Sequence, residues 1–127
     1  MMIAALALGA AAQPAAEPPV DTEITVIANK LRDWRGNWRL RKGAVSCKTT
    51  RSTGDKAVDA LGCDAMVACI APIAPQIDAI DVKKVGKEAA QQQVNGLFEA
   101  ARVSDCLTAR REAGIAALAA ARRSKRK

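Results

Sequence analysis

Four cysteines, Cys47, Cys63, Cys69 and Cys106, are the residues of this chain whose chemistry is easiest to define. They are separated by 15, 5 and 36 residues, which matches neither the short cysteine pairs of a zinc ribbon nor a redox Cys-x-x-Cys motif. The chain contains no histidine, so a metal site would lack its commonest ligand. The spacing therefore predicts two disulfides and no metal ion.

Geometry favours one of the three ways of pairing these cysteines. The periodicity of residues 58–70 predicts a helix that carries both Cys63 and Cys69, and six helical residues turn two side chains about 120° apart. These two sulfurs are therefore badly placed to bond to each other. A helix that folds back along the strand holding Cys47 brings Cys63 closer to it than Cys69. We therefore expect the pairs Cys47–Cys63 and Cys69–Cys106.

The first residues set the compartment in which the cysteines act. Residues 1–12 are uncharged and rich in alanine, as in the apolar core and cleavage site of a signal peptide. The stretch is shorter than the roughly 20 apolar residues of a membrane span, so we expect no transmembrane anchor. We predict a signal peptide at 1–16, a linker at 17–21 and a periplasmic or secreted protein. No Lys or Arg precedes the apolar core, and we expect a translation start further upstream.

No group of residues in the chain has the composition of a catalytic site. The lack of histidine removes the commonest general base, and bridged cysteines offer no thiolate nucleophile. Two carboxylate pairs, Asp59 with Asp64 and Asp78 with Asp81, lack the polar cluster that acid–base catalysis needs. The segment 52–56 differs from a phosphate-binding P-loop. We therefore predict no catalytic residue, no cofactor and no enzymatic activity.

Basic residues concentrate in one part of the sequence, which we call the basic island. Its residues, 30–56, contain nine Lys or Arg against two Asp, and the last six residues of the chain add five more cations. Two tryptophans are interleaved with the cations of the island, a composition that suits binding of a polyanion. The candidate binding residues are Arg35, Arg39, Arg41 and Lys42.

Three interpretations of the basic island are open. One ligand with the required phosphates is single-stranded nucleic acid, which export disfavours. A second is an anionic component of the cell envelope, such as lipid headgroups. In the third interpretation there is no ligand: Trp38 belongs to the core, Trp34 is partly buried beside it, and the arginines form a solvated face.

The hydrophobic pattern predicts a single α+β domain at 22–121. Thr, Ile and Val at 22–28 favour a first strand. Apolar and polar residues alternate on either side of Lys42 and Gly43, which predicts a β-hairpin. About three helices and a basic disordered tail at 122–127 should follow. The helices are expected at 58–70, from Asp81 to Arg102, and from Ser104 or Asp105 to the tail. Alanine accounts for 28 of 127 residues, so the core is thin and the two disulfides must stabilise it.

Two parts of the sequence resemble known proteins. The octapeptide Asp21–Ala28, DTEITVIA, resembles the TonB box of outer-membrane receptors. That resemblance implies an extended segment that adds a strand to the energy-transducing periplasmic protein, although the chain is too short for the barrel of such receptors. A wider resemblance, to small uncharacterised exported proteins of alphaproteobacteria, implies no activity. It rests on Asp33–Gly36, Cys47–Thr49, Arg51–Asp55, Leu61–Cys63 and Cys69.

These features predict a small exported, disulfide-stabilised periplasmic protein with a structural or partner-binding role toward an unknown protein partner. The alternative is a basic protein that binds an anionic envelope component or another polyanion through residues 30–56. A steep salt dependence of binding would favour the alternative.

Overall fold

The computed structural model describes residues 20–125, and the predicted signal peptide at 1–16 lies outside the described residues. The first helix begins inside the predicted linker 17–21. The elements are α1 Val20–Asp33, β1 Arg35–Arg41, β2 Ala44–Arg51, α2 Lys56–Ile70, a 3-10 turn Ala71–Ile73, α3 Ala74–Asp78, α4 Val82–Val85, α5 Lys87–Ala100 and α6 Val103–Lys125. The protein is therefore of the predicted α+β class, with one two-stranded sheet in its described part.

The predicted first strand at 22–28 is wrong, because these residues form the middle of helix α1. Their β-branched side chains favour a strand, but Ile24, Ile27 and Leu31 also recur at helical spacing and pack into one core cluster. Ile27 is fully buried. The burial of these three side chains on one face of a helix outweighs the modest strand propensity of the segment. The segment Asp21–Ala28 that resembles a TonB box is likewise helical rather than extended.

The predicted hairpin is present, and its strands β1 and β2 are joined by the two-residue turn Lys42-Gly43. Both turn residues have positive φ, 50° and 78°, which is the type I′ geometry that matches the twist of paired strands. Trp38 pairs directly with Cys47. The disulfide from Cys47 therefore starts in the middle of the hairpin.

The three predicted helices are present, and one of them is divided. Helix α2 ends two residues before Pro72, and the 3-10 turn and α3 follow it directly. Gly86, with φ 91°, separates α4 from α5, where the sequence predicted one helix over 81–102. Helix α6 continues to Lys125. The predicted disordered tail 122–127 is therefore helical in its first four residues, and its last two lie outside the described part.

Both predicted disulfides are present. Cys47–Cys63 joins β2 to α2 with the Cα atoms 5.4 Å apart, and Cys69–Cys106 joins α2 to α6 with the Cα atoms 5.8 Å apart. All four cysteines of the chain are thereby bonded. Two intramolecular disulfides are consistent with an oxidising, extracytoplasmic compartment.

Helix α2 takes part in both hydrophobic clusters of the protein. The first cluster lies between α1, α2 and α6 and contains the fully buried Ile27 and Val58. The second lies between the end of α2, the 3-10 turn, α3, α5, the start of α6 and the inner face of the hairpin. Ile70 and Val103 are its most deeply buried residues. Met66 of α2 packs against both clusters. The two clusters therefore meet at this helix.

The stretch Lys56–Asp78, which covers α2 and α3, is long and apolar enough to cross a membrane by length and composition alone. A core helix of a folded protein meets the same test. In this structure Val58, Cys69 and Ile70 of the stretch belong to the two clusters, and both disulfides start from it. Core packing thus accounts for part of its hydropathy, since 39% of the apolar window is buried.

The structure reverses the burial that the sequence predicted for the two tryptophans. Trp34 is only 4% exposed and belongs to the first cluster, whereas Trp38 is half-buried on the inner face of the hairpin. The indole Nε1 of Trp34 donates a hydrogen bond to Thr49 Oγ1 at 3.0 Å. A Cβ atom at Gly36 or Gly62 would lie 2.4 or 2.7 Å from carbons of the Trp34 ring. These two glycines therefore form the slot that admits the ring.

We expect Gly62→Ala to destabilise the protein although alanine is the better helix former. The added Cβ would overlap the ring of Trp34, and overpacking of this kind costs about 1–3 kcal/mol. Gly96 in α5 is the matched control, because no atom lies within 4 Å of the position of its Cβ. Gly96→Ala should raise the free energy of unfolding by about 0.5–1 kcal/mol. Chemical denaturation measures the free energy of unfolding of both variants. If the two substitutions change it in the same direction, the claim that the Trp34 ring leaves no room for a Cβ atom at position 62 is wrong.

Asp55 connects three helices through one carboxylate. Its side chain caps α2 by accepting hydrogen bonds from the N–H groups of Ala57 and Val58. Arg122 of α6 donates to both carboxylate oxygens, at 2.6 and 2.8 Å, and Nζ of Lys30 in α1 lies 3.1 Å from one of them. This network holds the end of α6 in place and explains why the predicted tail is ordered there.

We expect the Asp55 network to make stability depend on pH. The hydrogen bond from Arg122, with help from Lys30, lowers the pKa of Asp55 from 3.8 to about 2. A carboxyl group whose pKa falls on folding stabilises the protein above its unfolded pKa, and this contribution is lost as the pH drops through the folded value. Asp55→Asn keeps a capping side chain, so it should lower the free energy of unfolding by about 1–2 kcal/mol at neutral pH and have little effect near pH 2. Thermal unfolding of the variant and of the unaltered protein between pH 2 and pH 7 tests this prediction. A stability difference between the two proteins that does not vary with pH would contradict it.

Candidate polyanion-binding surface

The hairpin has one face toward the protein and one toward solvent. Exposure alternates from residue to residue along β1 and along most of β2. The inner face carries Trp38 and Leu40 from β1 and Val45 and Cys47 from β2, all packed against the core clusters. Because side chains of a strand point alternately to opposite faces, every second residue of the hairpin is directed outward.

The outer face of the hairpin is basic. Five of its exposed side chains are cations, and a sixth cation lies in the turn. We call these six residues the hairpin cations: Arg35, Arg39, Arg41, Lys42, Lys48 and Arg51. Residues 34–54 contain no Asp or Glu, so neither strand contributes a carboxylate to this surface.

The register of the strands places one pair of like charges directly opposite each other. Arg35 pairs directly with Arg51, and the remaining strand cations face the uncharged residues Asn37, Ser46 and Ala44. Like charges directly opposite each other destabilise an antiparallel pair. An anion that bridges the two strands would relieve this repulsion.

The hairpin cations are not neutralised within residues 20–125, because none of them forms an ion pair with a carboxylate there. The Nη1 atom of Arg35 donates to the carbonyl oxygens of Arg32 and Trp34 at 2.9 and 2.8 Å. These bonds hold the Arg35 guanidinium at the base of the hairpin. The side chains of the other hairpin cations extend into solvent, where an anion can reach them.

The four binding residues predicted from the sequence lie on one continuous surface, three on the outer face and one in the turn. They are Arg35, Arg39, Arg41 and Lys42. Sequence reasoning did not assign Lys48 and Arg51 to this surface. Lys48 was predictable, because it follows the inward-facing Cys47 in a strand and must point outward. Arg51 was not, because an irregularity in the pairing opposite it shifts the alternation.

Neither tryptophan is free to stack on a base. Trp34 lies in its slot, with the guanidinium carbon of Arg111 6.0 Å from the ring centre. Trp38 packs against Phe98 with ring centres 5.6 Å apart, on the face opposite to the hairpin cations. Base stacking, which the nucleic-acid interpretation requires, therefore has no exposed ring in the described chain, whereas phosphate recognition by the cations needs none.

One carboxylate of each pair considered as catalytic, Asp59 or Asp81, makes structural contacts. Asp59 accepts hydrogen bonds from the hydroxyls of Ser52 and Thr53 and from the N–H of Thr53, and the bond from Ser52 is the main cause that lowers the pKa of Asp59. Asp81 caps α4 by accepting from the N–H of Lys84. Among residues 20–125, no group of three His, Cys, Asp or Glu could hold a metal ion.

A second surface feature is an apolar groove between α2 and α6. It has a volume of about 630 Å³ and is lined mainly by alanine side chains, with Leu61 and Leu118 as the largest apolar residues. Asp64 and Arg110 are the charged residues of its lining. No hairpin cation lines this groove, so it is separate from the basic surface.

Comparison with known proteins gives no guide to the function. No family model, no curated protein and no solved structure matches this chain. The function is therefore inferred from the surfaces described above.

Proposed function

We propose that this protein is exported and binds phosphate-rich polyanions of the cell envelope through the hairpin cations. The observation that carries the proposal is a solvent-facing surface of six cations on a segment, 34–54, that has no carboxylate. The two disulfides support export, since they persist in oxidising compartments such as the periplasm. The formal net charge of +7 adds long-range attraction toward an anionic surface.

The geometry of the hairpin suits a ligand that carries several phosphates. Alternate residues of a strand lie about 7 Å apart and neighbouring strands about 5 Å apart, so the strand cations form two short rows. A guanidinium can bind one phosphate with two parallel N–H···O bonds. Several weak contacts made at once by a fixed array give useful affinity, and each releases counterions. Binding should therefore weaken steeply as salt is added.

The first test neutralises three hairpin cations that have no hydrogen bond to the backbone. We expect Arg39→Gln, Arg41→Gln and Lys48→Gln together to weaken binding of inorganic polyphosphate at least about tenfold. The number of counterions released on binding, read from the salt dependence of the affinity, should fall by about two to three. The melting temperature should change little, because exposed charges contribute little to folding. Isothermal calorimetry at several salt concentrations measures the affinity and its salt slope.

The matched control has the same loss of charge at exposed cations outside the hairpin. It carries glutamine at Lys56, Arg110 and Lys125. We expect this variant to keep most of the affinity of the unaltered protein, because only the mean charge has changed. Equal losses of polyphosphate affinity in the two triple variants would overturn the proposal, because they would show that binding depends on net charge alone.

A protein partner that docks in the groove between α2 and α6 is the second candidate function. It is favoured by an apolar lining open to solvent, to which Asp64 and Arg110 add one charge of each sign. Under this proposal the hairpin cations are a solvated face. Polyphosphate would then bind weakly and without preference for the hairpin.

A further inference from the structure

Helix α2 is more apolar than its contacts within one copy of the chain require. The stretch Lys56–Asp78 is apolar enough to cross a membrane, yet only 39% of its apolar window is buried. Between Asp64 and Asp78 it contains no charged residue. A helix that is apolar on all sides is normally covered on all sides. Part of the apolar surface of α2 is therefore still uncovered in a single copy.

Helix α6 shows the same feature beside α2. Residues 113–121 contain no charged residue, although a surface helix normally carries charged side chains toward solvent. Ala113 and Ala117 are exposed, and with the exposed Ala57 and Ala60 of α2 they line the groove between the two helices. Because alanine side chains are short, further helices can pack closely against them.

The two helices run antiparallel along the groove. One disulfide joins the end of α2 to the start of α6, and the Asp55 network joins the start of α2 to the end of α6. In between, a Cβ atom at Gly114 would lie 2.9 Å from Cγ of Leu61. Three residues further along α2 and three residues back along α6 bring Asp64 level with Arg110 to within one residue. These two groove residues therefore lie at one level, on opposite sides of the groove.

Neither of these two charges has a partner within residues 20–125. Asp64 and Arg110 are both exposed, and neither forms an ion pair in the described chain. A two-fold axis parallel to the groove would exchange its two sides and keep the level of each residue. A second copy related by that axis places Asp64 of each copy opposite Arg110 of the other. The groove is therefore complementary in charge to itself.

We propose that the groove between α2 and α6 is the interface of a symmetric homodimer, in which these two helices of both copies form a four-helix bundle. The alanines let the helices approach, and two reciprocal contacts between Asp64 and Arg110 set the arrangement of the copies. The second copy covers the apolar sides of α2 and α6 that one copy leaves open. The inference names an occupant for the groove and uses no hairpin cation, so it stands apart from the polyanion proposal.

The first test fills the groove with a longer side chain. Analytical ultracentrifugation without any polyanion should show the unaltered protein as a dimer, and Ala117→Gln should weaken dimerisation at least about tenfold because it holds the helices of the two copies apart. Ala116→Gln is the matched control, since Ala116 is exposed but does not line the groove. It should leave the dimer intact. A protein that stays monomeric up to about 1 mM, or equal weakening by both variants, would overturn the proposal.

The second test exchanges charges between the copies. Asp64→Arg alone and Arg110→Asp alone each place like charges opposite each other in a homodimer, so each variant should be monomeric where the unaltered protein is dimeric. Mixed in equal amounts, the two variants should form a dimer with one copy of each, because both contacts then join opposite charges. Single variants that remain dimeric, or a mixture that remains monomeric, would overturn the two-fold arrangement.

Two control variants make the same changes of charge outside the groove. Glu99→Arg and Lys87→Asp alter exposed residues of α5 that do not line it, and each should stay dimeric by itself. Loss of the dimer in these variants would overturn the proposed contact, because net charge would then set the oligomeric state. Failure of the hairpin proposal would instead show as unchanged polyphosphate binding of the hairpin triple variant, so the two results can be told apart.

Discussion

The Cys47–Cys63 bond is the interaction on which the arrangement of the hairpin depends. A two-stranded sheet is marginally stable on its own in water, and one pair of facing cations, Arg35 and Arg51, weakens this one further. The bond ties the middle of β2 to α2, and Trp34 fixes the same junction by its hydrogen bond to Thr49 and its slot against Gly62. With the inner face held against the helices, the cations are left on the side toward solvent.

Short-range patterns in the sequence were sufficient for the elements that depend on neighbouring residues. Strand alternation with a Lys-Gly turn predicted the hairpin. The angle between side chains on one helix excluded a Cys63–Cys69 bond, and the distances along the strand and the helix then selected the two disulfide pairs. Long-range contacts were not predictable in this way. The order of the predicted tail depends on Arg122 meeting Asp55, 67 residues earlier in the chain, and the burial of Trp34 depends on Gly62. Helix α1 was missed because its β-branched residues favour a strand, and only the burial of Ile27 and Leu31 decides for the helical spacing that the sequence also contains.

The candidate surface was predictable to the extent that it follows strand alternation. The arginines of β1 were identified from composition, and their common face follows from their even spacing. What composition could not show is the lack of carboxylate partners for the hairpin cations within the described chain, which distinguishes an open cationic surface from a paired one. Nor could it show that both tryptophans point away from that surface. These two facts shift the interpretation from base stacking to phosphate binding.

The most direct test of polyanion binding by the hairpin cations is an NMR titration of ¹⁵N-labelled protein with inorganic polyphosphate. We expect the largest chemical-shift changes on the outer face of the hairpin, at Arg39, Arg41 and Lys48, and we expect them to disappear at high salt. The inner-face residue Val45 should shift little. Changes that are largest at the basic end of α6, or equal at all cations of the protein, would contradict it.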